Sequence, residues 1–354
     1  MPVSAVAGHS ARPAGAFDSC RRPADPATLV WDTGWREQSM GLDAGAAEVV
    51  VGVDGSADAL RAVAWGAVTA ARRHRPLRLV SAIAPPTPYG SGIGLSPGHF
   101  VELEERGRAW LAEAGAVAER VTPPSRVPEI GTELAVGTAA PVLTERARAA
   151  FVVAVGAAEG QRRRGRLGTV TAALLAHAAC PLALVRWPGD SETPPRDGAV
   201  VVGVDGSPPS AEAVAVAFEE AAVRAAPLVA VHAADAGPRG KGHRKDQHPW
   251  GEDETADAVT LAERLAGLRE WYPEVDVERV VARDGPEAAL LRHAGTAQLL
   301  VVGTTGHGEL GGRMSGSTSH ALAHSAPCPL LVVPQGTRAG AAGHAARRAE
   351  RAGP

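Results

Sequence analysis

The sequence predicts an α/β protein of two tandem doubly wound domains, each a five-stranded parallel sheet with helices on both faces. The octapeptide VVVGVDGS occurs at residues 49–56 and again at 200–207. LLAHAACPLALV at 174–185 has a counterpart in ALAHSAPCPLLVV at 321–333. Two copies of one domain account for both repeats. In each copy, continuous Val- and Leu-rich runs alternate with Ala-rich stretches, which is typical of parallel strands covered by helices.

The repeats and the composition between them divide the chain into five predicted segments. Residues 1–46 are rich in Ala, Gly and Pro without a sustained period, which predicts a disordered extension. Copy 1 is assigned to residues 47–187 and copy 2 to 199–334, joined by the Pro-, Gly- and Asp-rich linker 188–198. Residues 335–354 are predicted to form a solvated tail.

The elements of copy 2 follow from its hydrophobic pattern in chain order. Short apolar runs predict strands at 199–204, 227–233, 275–282, 298–303 and 329–334. Apolar positions at helical spacing predict helices at 209–226, 253–271, 286–295 and from about Ser317. Right-handed crossovers between parallel strands then give an open, doubly wound sheet.

The glycine-rich stretch of copy 2 is predicted to lie where such a sheet binds ligands, beyond the carboxyl ends of the strands. VGVDGS at 202–207 and VVGTTGHG at 301–308 both leave strands at that end. Glycine backbone N–H groups can approach a phosphate closely, and Ser317 and Thr318 open the next helix at the positive end of its dipole. Asp205 can offer its carboxylate or backbone to a base or ribose.

The candidate nucleotide contacts of copy 2 are taken from these strand ends and from the glycine-rich loop. They are Gly203, Asp205, Ala233, Gly303, Thr304, Thr305, Gly306, His307, Gly308, Gly316, Ser317 and Thr318. An alternative role for Ser317 is a plain helix cap. Asp54 and Asp205 have the same alternative, as caps of the helices that follow them.

The repeat resembles the ATP-binding class of the universal stress protein family, which is marked by G-x2-G-x9-G-[S/T] after the fourth strand. Gly303, Gly306, Gly316 and Ser317 match that motif. The resemblance implies tandem domains packed as a pseudo-dimer, ATP held by the glycine loop, and a role in stress or dormancy responses. Mg²⁺ can accompany the ATP, although the motif does not require it. The protein partner is unknown, and a homodimer of the whole chain remains open.

Copy 1 departs from the motif. Glu159 stands where the second glycine belongs, and the loop is one residue shorter. The carboxylate would repel a triphosphate, whereas the arginines at 162–164 and 166 would attract it. ATP binding by copy 1 is therefore left open. Its candidate residues are Gly52, Asp54, Gly156, Gly160, Gly168 and Thr169.

Other interpretations of the sequence also make testable claims. GHGELG at 306–311 satisfies G-x-G-x-x-G, but the next strand, PLLVVP, ends without the acidic residue of a dinucleotide site. A slow ATPase is the enzymatic alternative, although the chain has no G-x4-G-K-[S/T] loop. A scaffold without a ligand is a third. His320 and His324 have the spacing of a metal-binding pair, without an evident third ligand.

Composition excludes several classes of function. The formal net charge of −3 gives no reason to expect a nucleic acid or an anionic membrane as partner. Three cysteines without metal-ligand spacing favour neither a disulfide framework nor a zinc site. No apolar run approaches the roughly 18 residues of a membrane helix, and no secretory signal is recognisable. We therefore expect a cytoplasmic protein.

Overall fold

The structure, a computed structural model, describes residues 47–84, 97–157, 167–233, 252–304 and 318–336. Copy 1 contains the strands β1 (Val49–Gly52), β2 (Leu77–Ile83), β3 (Ile130–Val136), β4 (Val152–Gly156) and β5 (Leu182–Val185), and the helices α1 (Ala57–Arg73), α2 (Pro97–Val121), α3 (Ala139–Arg146) and α4 (Thr169–His177). Copy 2 contains β6 (Val200–Gly203), β7 (Leu228–Ala233), β8 (Val277–Ala282), β9 (Leu299–Gly303) and β10 (Leu330–Val333), and α5 (Pro208–Arg224), α6 (Glu252–Trp271), α7 (Pro286–Ala294) and α8 (Thr318–Ser325). These bounds agree with the predicted elements of copy 2 to within two residues.

The ten described strands form one sheet in the order β3-β2-β1-β4-β5-β10-β9-β6-β7-β8. Strands within each copy are parallel. The copies meet where β5 and β10 pair antiparallel, with Leu184 opposite Leu330 and Leu182 opposite Val332. The strand order reverses between β1 and β4 in copy 1, and between β6 and β9 in copy 2. The predicted fold class is confirmed, and each reversal places a crevice at the carboxyl ends of the strands.

Helices cover both faces of the sheet, and each face carries a core that continues through both copies. One core joins α1 and α2 to α5 and α6 through residues such as Ala62, Leu111, Phe218 and Leu265. The other joins α3 and α4 to α7 and α8. Small Ala and Val side chains dominate both cores, which lets the helices lie close to the strands.

The turn after the first strand of each copy has the same local structure. Gly55 and Gly206 have φ values of +78° and +81°, a conformation that side chains disfavour and glycine adopts readily. Ser56 and Ser207 follow as the N-caps of α1 and α5, and each serine Oγ accepts a hydrogen bond from the backbone N–H three residues on. The repeated DGS sequence therefore forms a turn and a helix cap, which together start a helix just beyond the carboxyl end of the strand.

A buried ionic cluster also joins the copies, between α1 and α5. The Arg73 guanidinium donates hydrogen bonds to Glu219 and to Glu220, the latter at 2.7 Å, and Arg224 donates to the other oxygen of Glu220 at 3.0 Å. Glu220 is 3% exposed. Burial by itself would raise the pKa of Glu220, but the charges and hydrogen bonds of Arg73 and Arg224 outweigh it and lower that pKa from 4.5 to about 2. The guanidinium of Arg73 also lies 4.8 Å above the Phe151 ring.

The linker predicted at 188–198 lies against copy 1. Arg61 of α1 donates to the carbonyl of Gly189 at 2.8 Å, and Arg120 of α2 pairs with Glu192 at 3.2 Å. The extension 1–46 and the tail beyond residue 336 lie outside the described residues. Among the helices that the structure describes, none combines the length and the apolar character needed to cross a bilayer.

Candidate functional site

A cleft of about 350 Å³ opens in copy 2 at the carboxyl ends of its central strands. It lies over β6, β7 and β9, where the strand order of the copy reverses. Apolar side chains of Val231, Leu290 and Val302 form part of its lining, and the hydroxyl groups lie mainly at helix starts and strand ends. The described lining is Gly203, Val204, Asp205, Ser207, Ser210, Val231, His232, Ala233, Pro286, Leu290, Val302, Gly303, Thr304, Thr318 and Ser319.

The cleft brings together every copy 2 candidate that the structure describes. Those residues come from four separate parts of the sequence and are Gly203, Asp205, Ala233, Gly303, Thr304 and Thr318. The other candidates fall in the loop between Thr304 and Thr318, outside the described residues. They are Thr305, Gly306, His307, Gly308, Gly316 and Ser317.

Asp205 is exposed at the rim of the cleft and is not itself the helix cap. Its Oδ1 accepts hydrogen bonds from the backbone N–H of Ser207 at 2.8 Å and from the Ser207 hydroxyl at 2.7 Å. Ser207 in turn caps α5. Asp54 holds Ser56 in the same way in copy 1, at 3.0 and 2.6 Å. The capping alternative for the two aspartates is therefore wrong, because the serine two residues later performs that role.

Several side chains of the lining were not among the candidates, and Ser210 and His232 are two that bond to the backbone of the turn after β6. The Ser210 hydroxyl accepts from the backbone N–H of Asp205 at 3.1 Å and donates to the carbonyl of Gly203 at 3.4 Å, so it ties the turn to the strand. His232 Nδ1 donates to the carbonyl of Val204 at 2.7 Å. The signal for Ser210 was a polar residue in the first turn of α5 where copy 1 has Ala59.

The glycines at the strand ends have a packing reason of their own. A Cβ at Gly303 would lie 2.6 Å from both the backbone carbon and the carbonyl oxygen of Pro209, in the first turn of α5. Gly156 packs in the same way against Asp58 in α1. Gly203 lies beneath Leu290, and Gly52 beneath Leu143. The absence of a side chain at Gly303 therefore lets the start of α5 rest directly on the floor of the cleft.

The starts of α5, α7 and α8 converge on this cleft, represented in its lining by Ser207, Pro286 and Thr318. Helix N-termini carry backbone N–H groups without intrahelical partners and a partial positive charge. The described lining contains two acidic or basic side chains, His232 and, at the rim, Asp205. The interior of the cleft therefore favours an anionic group that can accept several hydrogen bonds.

Copy 1 lacks two of the hydroxyl groups at the corresponding positions. Gly156 pairs with Val185 as Gly303 pairs with Val333, so Ala157 stands where copy 2 has Thr304. Counting along α4 and α8 from the buried Leu174 and Leu322 places Val170 at the position of Thr318. Of the copy 1 candidates, Gly168 is the N-cap of α4 and Thr169 its first residue. Gly160 lies outside the described residues, while Gly52, Asp54 and Gly156 occupy the strand ends.

The histidine pair on α8 has no third metal ligand beside it within the described residues. The His320 and His324 rings lie 5.2 Å apart, edge to face. Burial, then the charges of His320 and Arg186, lower the pKa of His324. No cluster of three or more His, Cys, Asp or Glu side chains that could hold a metal occurs in the described ranges.

Comparison with known proteins gives concordant matches in sequence and fold. The model of the universal stress protein family matches residues 47–186 and again 198–334. Universal stress protein Rv2005c of Mycobacterium tuberculosis is 36% identical over 307 residues, covering 81% of this chain and 97% of that protein. Universal stress protein Rv2623 of the same organism is 36% identical over 285 residues, covering 80% and 95%. A crystal structure of a universal stress protein from Archaeoglobus fulgidus has the same fold, with a TM-score of 0.62 at 16% identity over 82% of this chain and 98% of that one.

Proposed function

The chain belongs to the universal stress protein family, with two family domains in tandem, and we propose that copy 2 binds ATP and that the protein is a nucleotide-dependent regulator in stress or dormancy responses. One observation carries the proposal: the starts of α5, α7 and α8 converge on a cleft that also holds the hydroxyls of Thr304 and Thr318. A volume of about 350 Å³ is in the usual range for small-molecule sites.

We assign the β6 and β7 side of the cleft to the nucleoside. Asp205 is exposed there, and only its Oδ1 is engaged by Ser207, so Oδ2 can accept a hydrogen bond from a ribose hydroxyl or the adenine amino group. The backbone of Ala233 ends β7 beside it, and the side chains of Val231 and Leu290 supply apolar surface for the base.

We assign the β9 and α8 side to the phosphates. Thr304 follows β9, and Thr318 and Ser319 lie in the first turn of α8, so hydroxyl donors and the positive end of the helix face one region. The predicted glycine loop, 305–317, connects these residues along the chain. A Mg²⁺ ion would reach the site with the phosphates, because the described lining offers one carboxylate, Asp205, at the end assigned to the nucleoside.

We propose binding and not efficient hydrolysis. Rapid phosphoryl transfer needs a cation at the γ-phosphate and a group that positions water. The sequence has no Walker loop, and Asp205 lies at the nucleoside end of the cleft. We also assign a single site to the chain, because copy 1 replaces two hydroxyl donors with Ala157 and Val170.

Native mass spectrometry of the freshly purified protein, with and without added ATP, tests the proposal. We expect one ATP per chain. Asp205→Asn should lower ATP affinity about tenfold by removing a charged acceptor, while its Oδ1 still holds Ser207. Asp54→Asn is the matched control, because Asp54 has the same local hydrogen bonds in copy 1. No retained or added ATP, or equal losses from the two variants, contradicts the proposal.

A double variant gives copy 2 the residues of copy 1 at two positions of the cleft. Thr304→Ala with Thr318→Val gives copy 2 the side chains that copy 1 already tolerates, so the fold should persist while ATP affinity falls at least tenfold. Neither substitution removes a contact from the side assigned to the nucleoside, so the affinity for adenosine should be unchanged. If ATP affinity is unchanged in this variant, the assignment of the β9 and α8 side to the phosphates is wrong.

A further inference from the structure

Arg186 of copy 1 reaches across the domain junction to the last turn of α8 in copy 2. It follows β5 directly, and its guanidinium Nη1 donates a hydrogen bond to the carbonyl of His324 at 2.9 Å, while Nη2 donates to the carbonyl of Ala323. The residue is 8% exposed. A buried cation is therefore held against the carboxyl end of a helix from the other copy.

The residue of copy 2 that corresponds to Arg186 cannot make the reciprocal contact. Val185 and Val333 hold equivalent registers beside β4 and β9, so the residue after β10 that corresponds to Arg186 is Pro334. Proline has neither a side-chain donor nor a backbone N–H and cannot hold the end of α4 in this way. The side chain of copy 1 therefore holds a helix of copy 2 at this junction, and Pro334 of copy 2 does not return the contact.

The helix that Arg186 holds is one of the three whose first residues line the cleft. The last carbonyls of any helix lack intrahelical partners, and a cation there also complements the negative end of the helix dipole. α8 has only eight residues, a length at which a helix depends on its surroundings for stability. Its opening residues Thr318 and Ser319 lie in the cleft, roughly 6–8 Å along the axis from Ala323.

We propose that Arg186 is a positioning residue for the nucleotide site of copy 2, supplied by copy 1. This inference rests on the proposed function. By satisfying the final carbonyls of α8, Arg186 fixes the axial position and orientation of the helix, and so places the N–H and hydroxyl donors of its first turn toward the phosphates. Copy 1, which has Ala157 and Val170 where copy 2 has the hydroxyl donors Thr304 and Thr318, thereby contributes to binding without contacting the ligand.

The test compares ATP with adenosine in wild type, Arg186→Met and Arg186→Lys by titration calorimetry or ligand-observed NMR. We expect ATP affinity to fall about three- to tenfold in Arg186→Met, with adenosine affinity unchanged, because only the phosphate side depends on α8. Arg186→Lys should recover part of the loss, since it keeps the charge without the two-pronged geometry. Arg61→Met is the control, because Arg61 also bonds a backbone carbonyl, that of Gly189, away from α8.

Amide hydrogen exchange without ligand supplies an independent readout. Exchange at 318–325 should speed up in Arg186→Met and stay unchanged in Arg61→Met. If wild type binds ATP but Arg186→Met keeps its ATP affinity, or loses ATP and adenosine binding equally, the inference is wrong and the proposed function stands. If wild type binds no ATP, the proposed function fails and the inference fails with it. Unchanged exchange at 318–325 also overturns it.

Discussion

Replacing Glu220 with glutamine should weaken the junction between the copies more than any surface substitution. Glu220 lies in α5 of copy 2 and accepts hydrogen bonds from Arg73 of copy 1 and from Arg224 of its own helix. Glutamine has nearly the same shape but no charge. The substitution therefore leaves two buried arginines with less compensation and creates no cavity.

The size of the effect follows from the pKa of the carboxyl group. A depression from 4.5 to about 2 corresponds to about 3 kcal/mol of preferential stabilisation of the charged folded state. Breaking a buried ion pair by removing one partner costs roughly 3–5 kcal/mol, which agrees with that figure. A carboxyl group with a depressed folded pKa stabilises fully above its unfolded pKa, and the stabilisation is lost as the pH falls through the folded pKa. The loss should therefore extend from about pH 4.5 to about pH 2.

Urea unfolding at neutral pH and at about pH 3 measures both consequences. At neutral pH, Glu220→Gln should lower the free energy of unfolding by about 3 kcal/mol, and the gap to wild type should narrow as the pH falls. Glu192→Gln is the control, because its pair with Arg120 is exposed and should contribute less than about 1 kcal/mol. A loss below about 1 kcal/mol in Glu220→Gln, or a gap that persists at low pH, would refute the role given to the cluster.

Two further predictions concern glycines. Gly303→Ala places a Cβ 2.6 Å from the Pro209 backbone and should lower the stability of the protein by about 1–3 kcal/mol in thermal unfolding. Gly267→Ala is the control, because Gly267 lies in open space within α6 and alanine there should be neutral or slightly stabilising. Similar losses at both positions would contradict the packing role of Gly303. Gly316→Glu should weaken binding of a fluorescent ATP analogue far more than Gly168→Glu does, because a carboxylate would enter the proposed phosphate region of copy 2. Equal losses would make copy 1 a working site, and no loss at Gly316 would remove the glycine loop from the proposal.

Much of the fold could be predicted because its signals are local. Continuous apolar runs such as VVVG and LLVVG mark parallel strands, and the repeated DGS sequence marks the start of a helix. Open α/β sheets bind ligands beyond the carboxyl ends of their strands, and that rule predicted where the site lies. Asp205, Ala233 and Thr304 all follow or end strands there, so they line one cleft although they are far apart in sequence. Ser210 was missed because a serine in the first turn of a helix is common, and only the structure shows its bond to Gly203.

The junction between the copies could not be predicted in detail, because it depends on pairs without a periodic signal. Arg73 and Glu220 come from different copies, and charged residues at helical spacing normally face water. The position of Glu220 near apolar residues of α5 is a cue in the sequence that its side chain is buried, but it does not identify the arginine partner. Arg186 also looked ordinary after a strand, since its role depends on the edge pairing of β5 with β10.

The antiparallel pairing of β5 with β10 has a consequence for how the two copies could diverge. Separate chains with this edge would find one another by diffusion and would form like and unlike pairs according to their abundance. Here the segment between Val185 and Val200 keeps the two edges at an effective concentration on the order of millimolar, whatever the amount of protein in the cell. Copy 1 of each chain therefore pairs with copy 2 of the same chain. Selection acts on one fixed unlike pair, so a support residue such as Arg186 need arise on only one side.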